Sequence, residues 1–221
     1  RTYLLFDNEK SLFVWKSVTQ ETKKSKEFKA ESDNDIEIKE VYRDTIGRRV
    51  FNTYFKDKLI LREPLLENNF IVIDRKFNFN WKLMDAYKII AGKKCQKAKS
   101  NFRGRNYIAW FTEEISVPAG PWKLHGLPGL ILEAYDEKKE VNFIFKKLYS
   151  CKNSCEEITI NKNNKTISIE DFVNKKDNMH NTIMNKALSK LPRGTKIITS
   201  SYKKRNGIEI KFEWEEEINQ D

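Results

Sequence analysis

The chain contains 221 residues and has a formal net charge of +10, with 33% charged and 39% hydrophobic residues. Aromatic residues make up 12% of the chain, which excludes an intrinsically disordered protein and supplies material for a sizeable core. No apolar run approaches the roughly 20 residues of a membrane-spanning helix, so we expect no such helix. Since neither a repeat nor a flexible linker divides the sequence, we predict a single domain over residues 1–221.

The printed sequence begins at Arg1 without a methionine, and residues 2–16 already have the pattern of folded strands. We therefore expect that a targeting peptide has been removed and that the protein is exported, although a chain cut at a domain boundary would begin in the same way. In an oxidising compartment Cys151 and Cys155 are predicted to form a disulfide, which leaves Cys95 unpaired. His125 and His180 match no zinc-module spacing, so we predict no metal and no cofactor.

Most of the chain has the β-branched and aromatic composition of strands, interrupted by turn residues. Short turns between consecutive strands favour antiparallel pairing. The fold class predicted is therefore mainly β, a curved antiparallel sheet or half-barrel of about ten strands with one substantial helix at about 169–190. In chain order the predicted strands are Thr2–Phe6, Ser11–Lys16, Arg48–Phe55, Lys58–Arg62, Asn69–Asp74, Phe77–Leu83, Lys93–Phe102, Arg105–Glu113, Leu130–Tyr135 and Val141–Tyr149.

Most of the excess positive charge lies in residues 81–110, which contain eight basic residues and one acidic residue. This segment is either a patch for an anionic partner or a solvated, lysine-rich sheet face. The predicted strand Lys93–Phe102 has no apolar face, so core packing alone does not explain it. Nucleic-acid binding is disfavoured, because we expect export and no RNA-binding signature is present.

Two arginines, Arg103 and Arg105, flank Gly104 at a predicted turn. Guanidinium groups suit carboxylates and phosphates, so one interpretation is a site for a ligand carboxylate, a lipid head group or an acidic partner segment. The alternative is that both arginines pair inside the protein, with Glu113, Glu114 or Asp136 as partners.

The segment Gly120–Asp136 (GPWKLHGLPGLILEAYD) contains sharp proline and glycine corners between two predicted strands. Pro128 and Gly129 predict a type II turn in which Gly129 has a positive φ. The segment is either a rigid recognition loop that presents Trp122 and His125 to a ligand, or a structural corner that caps the sheet. No nucleophile motif accompanies His125, so no catalytic residue is predicted.

The predicted helix begins at the N-cap Ser168, with acidic residues in its first turn and a possible break near Asp177. After it, a final hairpin is predicted with a three-residue loop at 205–207 and a left-handed Gly207. This register would bury alternate residues of the last strand by pairing Tyr202 with Ile210, Ser200 with Phe212, and Ile198 with Trp214.

The central block of the chain resembles the GLPGLI family of exported Bacteroidota proteins. The resemblance covers residues 87–136 and rests on Gly126-Leu-Pro-Gly-Leu-Ile131, preceded by Cys95-Gln-Lys-Ala98, Phe102-Arg-Gly-Arg105, Tyr107-x-Ala-Trp110 and Gly120-Pro-Trp122. Where the family more often has proline directly after the position of Ile115, this chain has Ser116-Val117-Pro118. The family has no established reaction, and its members are suspected of acting beside TonB-dependent outer-membrane receptors.

The resemblance thus implies an exported periplasmic or cell-surface binding or accessory protein that works with an outer-membrane transport complex. Its expected ligand is a peptide or lipid-like molecule. The alternative is a hydrolase or peptidase that uses Cys95 with His125, or Asp136 with Glu133. Asp44-Thr45-Ile46 also resembles a short O-glycan acceptor pattern. The predicted binding residues are Arg103, Arg105, Trp110, Trp122, His125, Leu127 and Pro128.

Overall fold

The computed structural model of the protein describes residues 2–16, 28–29, 37–38, 44, 46–150, 157–160, 164–179, 205 and 207–215. Over these ranges the fold is mainly β, with one α-helix and two open sheets of six and five strands. The predicted fold class is confirmed, with the strands divided between two sheets. No helix in this part of the chain has both the length and the apolar character that crossing a membrane requires.

The strands follow one another along the chain mostly as short hairpins. In chain order they are β1 (Thr2–Phe6), β2 (Lys10–Trp15), β3 (Phe28–Lys29), β4 (Glu37–Ile38), β5 (Arg48–Thr53), β6 (Lys58–Leu65), β7 (Asn68–Arg75), β8 (Lys82–Ile90), β9 (Lys93–Phe102), β10 (Arg105–Thr112), β11 (Leu130–Asp136), β12 (Asn142–Phe143) and β13 (Lys165–Ser168).

The first sheet has the order β1-β2-β5-β6-β7-β13, the second has the order β12-β11-β10-β9-β8, and β3 pairs only with β4. Pairing is antiparallel, as predicted, with the exception of β13, which runs parallel to β7. Two-residue turns join β8 to β9 and β9 to β10. Both residues of each turn have positive φ, at Ala91 and Gly92 and at Arg103 and Gly104, which is the type I′ geometry that suits the twist of a hairpin.

A hydrophobic cluster shared by both sheets forms the main core. It contains Phe13, Leu61 and Val72 from the first sheet together with Phe102 and Phe111 from the second. A second cluster covers the opposite face of the second sheet. This cluster comprises Ile90, Cys95, Ile108, Trp110, Val117, Ala119, Leu130 and Leu132. The second sheet is therefore buried on both faces over β10 and β11.

Burial on both faces corrects the expectation for β9. Cys95 belongs to the second cluster and Ala98 to the first, and neither side chain is accessible to solvent. Small side chains on a strand let neighbouring layers approach closely, so β9 lies in the core although lysines occupy much of its length.

Three predicted strands are wrong or shorter than expected. The alternating segment 77–81 is irregular, because Phe77 and Phe79 turn inward to pack on Phe102, with ring centroids 4.8 and 5.0 Å away. The strand predicted at Val141–Tyr149 shortens to β12, and beyond it Ile144 and Tyr149 are exposed.

The last predicted strand is also wrong. Residues 208–212 are irregular, and a short 3-10 helix follows at Glu213–Glu215. Instead of forming a ladder, the N–H groups of Ile210 and Lys211 both donate to the Arg103 carbonyl, at 3.1 and 3.2 Å. Gly207 does not have the predicted left-handed φ. The proposed partner strand around 198–202 lies outside the described residues.

The helix α1 (Ile169–Asp177) begins where it was predicted to begin. The side chain of the N-cap Ser168 accepts a hydrogen bond from the Asp171 N–H at 3.0 Å, as expected of a cap. Phe172 and Val173 are buried, and the Phe172 ring packs edge-on to Phe70 of β7 at 6.2 Å. The stretch 180–190, which completed the predicted helix, lies outside the described residues.

The loop at 113–129 joins β10 to β11 and is hydrogen-bonded along its own length. The Ile131 N–H donates to the Ala119 carbonyl at 2.9 Å, and the Gly126 N–H donates to the Pro118 carbonyl at 3.2 Å. Trp122 and Gly126 have positive φ values of 55° and 87°. The loop thus has a defined, hydrogen-bonded backbone, which both interpretations of this segment require.

The predicted positive φ at Gly129 is wrong, since Gly126 has the left-handed conformation instead. Gly129 is required for a different reason: a Cβ there would lie 2.1 Å from the Thr112 carbonyl oxygen. The β11 backbone can approach β10 at this point only if residue 129 has no side chain.

We predict that Gly129→Ala is far more destabilising than Gly126→Ala. A Cβ at Gly126 has no atom within 4 Å, so its cost is the left-handed backbone alone, about 1–2 kcal/mol. At Gly129 the added Cβ would clash with backbone atoms, which cannot move aside. We therefore expect Gly129→Ala to lower the free energy of unfolding by more than about 4 kcal/mol. Urea unfolding of the two variants measures both values. Equal losses would contradict the assignment.

Candidate functional site

A network of charged side chains is buried where the two sheets, the 113–129 loop and the C-terminal segment (residues 207–215) meet. The Asp74 carboxylate, at the end of β7, accepts two hydrogen bonds from the Arg103 guanidinium, both at 2.8 Å. It also accepts one from Lys123 Nζ at 2.7 Å. Glu209 contacts the same two cations, with Lys123 Nζ at 2.7 Å and Arg103 as its second partner.

The network balances its charge where water is excluded. Side chains of Asp74, Arg103 and Lys123 are at most 4% exposed. Burial alone would raise the pKa of Asp74, but Lys123 and Arg103 outweigh this and hold that pKa below its ordinary value. Asp74 is therefore a carboxylate at neutral pH. Two buried cations and two carboxylates compensate one another, and Glu213 adds a partly exposed contact to Arg103 at 3.0 Å.

Arg105, which follows the Arg103–Gly104 turn, also binds the C-terminal segment. It donates to Asp136 at 2.9 Å, to Glu140 at 2.7 Å, and to the Gly207 carbonyl at 2.7 and 3.0 Å. A Cβ at Gly104 would lie 2.7 Å from the Ile210 side chain. The Arg-Gly-Arg turn is thus built to receive residues 207–213.

Behind Trp122 and the network lies a cavity of about 460 Å³. Its apolar walls come from the first sheet, from α1, from the loop and from the C-terminal segment. The apolar lining residues are Phe13, Trp15, Val50, Leu61, Trp122, Ile169, Phe172, Val173, Met179, Ile208 and Phe212.

Charged side chains also line this cavity. Glu63 lies 3.2 Å from Arg48, yet burial raises the pKa of the Glu63 carboxyl. Arg205 is paired with Asp177. Lys176, exposed on α1, has no ion pair or hydrogen bond from its side chain to any residue that the structure describes. Its positive charge opposes the rise in the pKa of Glu63. The cavity therefore combines apolar walls with an ammonium group at its edge that has no ion-pair partner among the described residues.

A smaller groove of about 290 Å³ lies at the tip of the loop. It is lined by Phe79, Trp81, His125, Leu127 and Pro128, among others. The His125 Nδ1 lies 2.6 Å from the Lys123 carbonyl oxygen, and burial lowers the pKa of His125 to about 4. The imidazole is therefore neutral at physiological pH. Trp81 Nε1 donates to the His125 carbonyl at 2.8 Å, which joins the two walls.

The predicted binding residues are distributed over four places. Arg103 and Arg105 both bind carboxylates inside the protein, as the alternative interpretation of these arginines stated. Of the partners suggested for them, Asp136 binds Arg105, whereas Arg103 binds Asp74. Trp110 lies in the second cluster, with Lys88 Nζ 4.6 Å from its ring centroid. Trp122 lines the cavity. The groove brings together His125, Leu127 and Pro128.

The most important charged residues of the site were missed by sequence reasoning. Asp74 closes the apolar run of β7, and Lys123 is a single cation inside an otherwise apolar loop. An isolated charge in such a context is the signal that could have marked them, since buried charges require partners.

The groups suggested for a hydrolase do not come together. Cys95 is a free thiol buried in the second cluster, and burial raises its pKa, whereas His125 packs edge-on to Phe79 of the main core. Asp136 is bound by Arg105 of β10, and Glu133 by Lys88 of β8. Among the described residues there is also no group of three or more metal-ligating side chains.

Two predicted features fall outside the described residues. These are the Cys151–Cys155 disulfide and the O-glycan acceptor Thr45. Next to Thr45, the Asp44 carboxylate is occupied by Arg62, with both oxygens 2.9 Å from the guanidinium nitrogens.

Residues 78–133 match the family model described as "Protein of unknown function (Porph_ging)". This range contains β8, the whole β9–β10 hairpin, the 113–129 loop and the start of β11. No curated protein matches the chain. A solved structure titled "Structure of PNGF-II in C2 space group" is similar to it, with a TM-score of 0.48 and 12% sequence identity over 81% of this chain. The match spans only 29% of the chain in that structure.

We predict that Asp74→Asn destabilises the protein by about 3–5 kcal/mol at pH 7, because it leaves two buried cations undercompensated. The stabilising contribution of a carboxylate with a depressed pKa is complete above its unfolded pKa and is lost as the pH falls through its folded pKa. The difference in unfolding free energy between wild type and variant should therefore shrink between about pH 5 and pH 2. Denaturant unfolding across this range measures it.

The matched control is Asp85→Asn, which changes an exposed aspartate of β8. It should stay within about 0.5 kcal/mol of wild type. A similar loss in both variants, or a difference for Asp74→Asn that is constant with pH, would contradict the role assigned to Asp74.

Proposed function

We propose that this chain is a binding protein that holds a small amphipathic molecule, with an apolar body and an acidic end, in the cavity behind Trp122. The observation that carries the proposal is the cavity itself. Its volume of about 460 Å³ falls within the range of roughly 300–1,000 Å³ that is typical of small-molecule sites.

The lining supports an apolar ligand body. Phe13, Val50 and Leu61 form one wall, and Ile169 and Val173, one helical turn apart on α1, form another. Apolar walls with a few placed polar groups are the usual composition of a ligand pocket. A lipid-like molecule fits such a lining better than a highly charged one.

The charges at the edge support an acidic ligand end. Arg48 is partly exposed and Lys176 is exposed, so a carboxylate at the cavity mouth would meet positive charge. The other cations of the lining, Arg48, Lys123 and Arg205, already have carboxylate partners. Lys176 is thus the group we assign to the ligand.

We also propose, from the resemblance of residues 87–136 to the GLPGLI family, that the protein is exported and acts as an accessory to an outer-membrane transport complex. The match of residues 78–133 to a model of a family of unknown function supports the view that this block belongs to a recurring protein family. Cell fractionation with an antibody tests the location. Protein found only in the cytoplasmic fraction would contradict it.

We predict that dodecanoate, used as a probe, binds the wild-type protein and that Val173→Phe weakens this binding by about tenfold or more, because the larger side chain fills the cavity. Lys176→Gln should weaken it by roughly three- to tenfold through loss of the ion pair. Isothermal titration calorimetry measures each affinity, and thermal unfolding checks that the variants are folded.

The control for charge is Lys175→Gln, since Lys175 neighbours Lys176 on α1 but does not line the cavity. It should bind dodecanoate as the wild type does. Absence of dodecanoate binding, or equal affinities in the wild type and a folded Val173→Phe variant, would refute the proposed ligand site.

A further inference from the structure

We propose that β8 is a docking edge, which takes up an extended acidic segment of a partner protein as an additional strand of the second sheet. The inference deepens the accessory role proposed above, because it names the surface and the kind of segment that the partner supplies. It involves a part of the molecule that does not line the cavity.

The backbone of β8 is available on its outer side. The strand Lys82–Ile90 ends the second sheet, and within the described part of the chain only β9 pairs with it. An edge strand presents a row of N–H and C=O groups that another extended chain can bond. Recognition by strand addition uses this row for affinity and side-chain pockets for specificity.

A row of apolar side chains lies along this edge. Leu83, Tyr87 and Ile89 are 49%, 51% and 68% exposed. They share one face of the sheet, because their partners on β9 are Ala98, Gln96 and Lys94, which alternate along that strand. The bulge between Met84 and Tyr87 keeps the row on a single face despite the odd spacing.

The groove at the loop tip continues this row. Leu83 lines the groove as well as belonging to the row, and Trp81, Leu127 and Pro128 form its other walls. A strand added beside β8 would thus pass the groove at one end, where one apolar side chain can enter. In this proposal the predicted binding residues His125, Leu127 and Pro128 together line the pocket that receives this side chain.

The charge of the edge specifies an acidic partner. Lys88, Lys93 and Lys99 have carboxylate partners within the protein. No described carboxylate forms an ion pair with the side chains of the others, Lys82, Lys94 and Lys97. Lys94 lies over the Tyr87 ring at 4.5 Å and Lys97 over the Trp110 ring at 5.9 Å. The exposed Asp85 is the acidic residue of β8 itself, so the described lysines of β8 and β9 still give this edge a positive charge. A second copy of this chain would bring like charges together, so the edge disfavours self-association and suits a segment in which acidic and apolar residues alternate.

The test uses a labelled synthetic peptide as long as β8, in which glutamate alternates with valine, and a matched peptide with lysine in place of glutamate. Fluorescence anisotropy measures binding to the whole protein. Amide hydrogen exchange, read by NMR, measures protection of residues 82–90. We expect the acidic peptide to bind at least about tenfold more tightly than the basic one. We also expect it to slow exchange along β8.

Two surface variants locate the site. Ile89→Asp introduces an acid into the row and should weaken binding of the acidic peptide by about tenfold. Phe55→Asp makes the same kind of change at an 82% exposed phenylalanine in the turn between β5 and β6 of the first sheet. This variant should leave binding unchanged. Both positions are exposed, so the folds should be retained.

The cavity-filling variant Val173→Phe should bind the acidic peptide normally. In the wild-type protein, absence of acidic-peptide binding alone would refute this inference, and absence of dodecanoate binding alone would refute the cavity proposal. Peptide binding without protection of β8, equal binding of both peptides, or tighter binding of single-stranded oligothymidylate than of the acidic peptide would each overturn the docking edge.

Discussion

The pairing of one buried carboxylate with two buried cations determines how the parts of this protein fit together. Asp74 ends a strand of the first sheet, Arg103 lies in a turn of the second, and Lys123 lies in the loop between β10 and β11. Removing any one of them would leave a charge without its partner in a place that excludes water, which costs more than an intact network contributes. Together with the apolar core shared by both sheets, this constraint fixes the relative position of the two sheets and the loop.

The same constraint shapes the two surfaces that we connect with function. Because Lys123 is held by Asp74 and Glu209, the adjacent Trp122 forms one wall of the cavity, and the segment that carries Glu209 forms another. On the other side of the loop, His125 and Leu127 turn toward Trp81 and the beginning of β8. A ligand in the cavity and a partner on the edge would therefore contact opposite sides of one rigid loop.

Local patterns in the sequence predicted much of the fold and little of the site. The hairpin strands and the Ser168 cap follow from alternation, turn residues and capping, which act over a few residues. The segment 77–81 alternates like a strand, yet its phenylalanines pack between the sheets, because tertiary burial outweighs local pattern. The requirement at Gly129 comes from a backbone oxygen of residue 112, and the ion network joins residues 74, 103, 123 and 209. Spacing along a single sequence does not encode such contacts. The sequence identifies the arginines as carboxylate-binding groups and includes Asp136 among their possible partners, but it does not indicate Asp74 or Glu209.

The most direct measurement of the central claim is a double-mutant cycle between Asp74 and Lys123. The unfolding free energies of the wild type, Asp74→Asn, Lys123→Met and the double variant give the coupling between the two side chains. If the network acts as a unit, the double variant loses less stability than the sum of the single losses, by about 2 kcal/mol or more. Losses that simply add would show that the two charges are independent and would contradict the account.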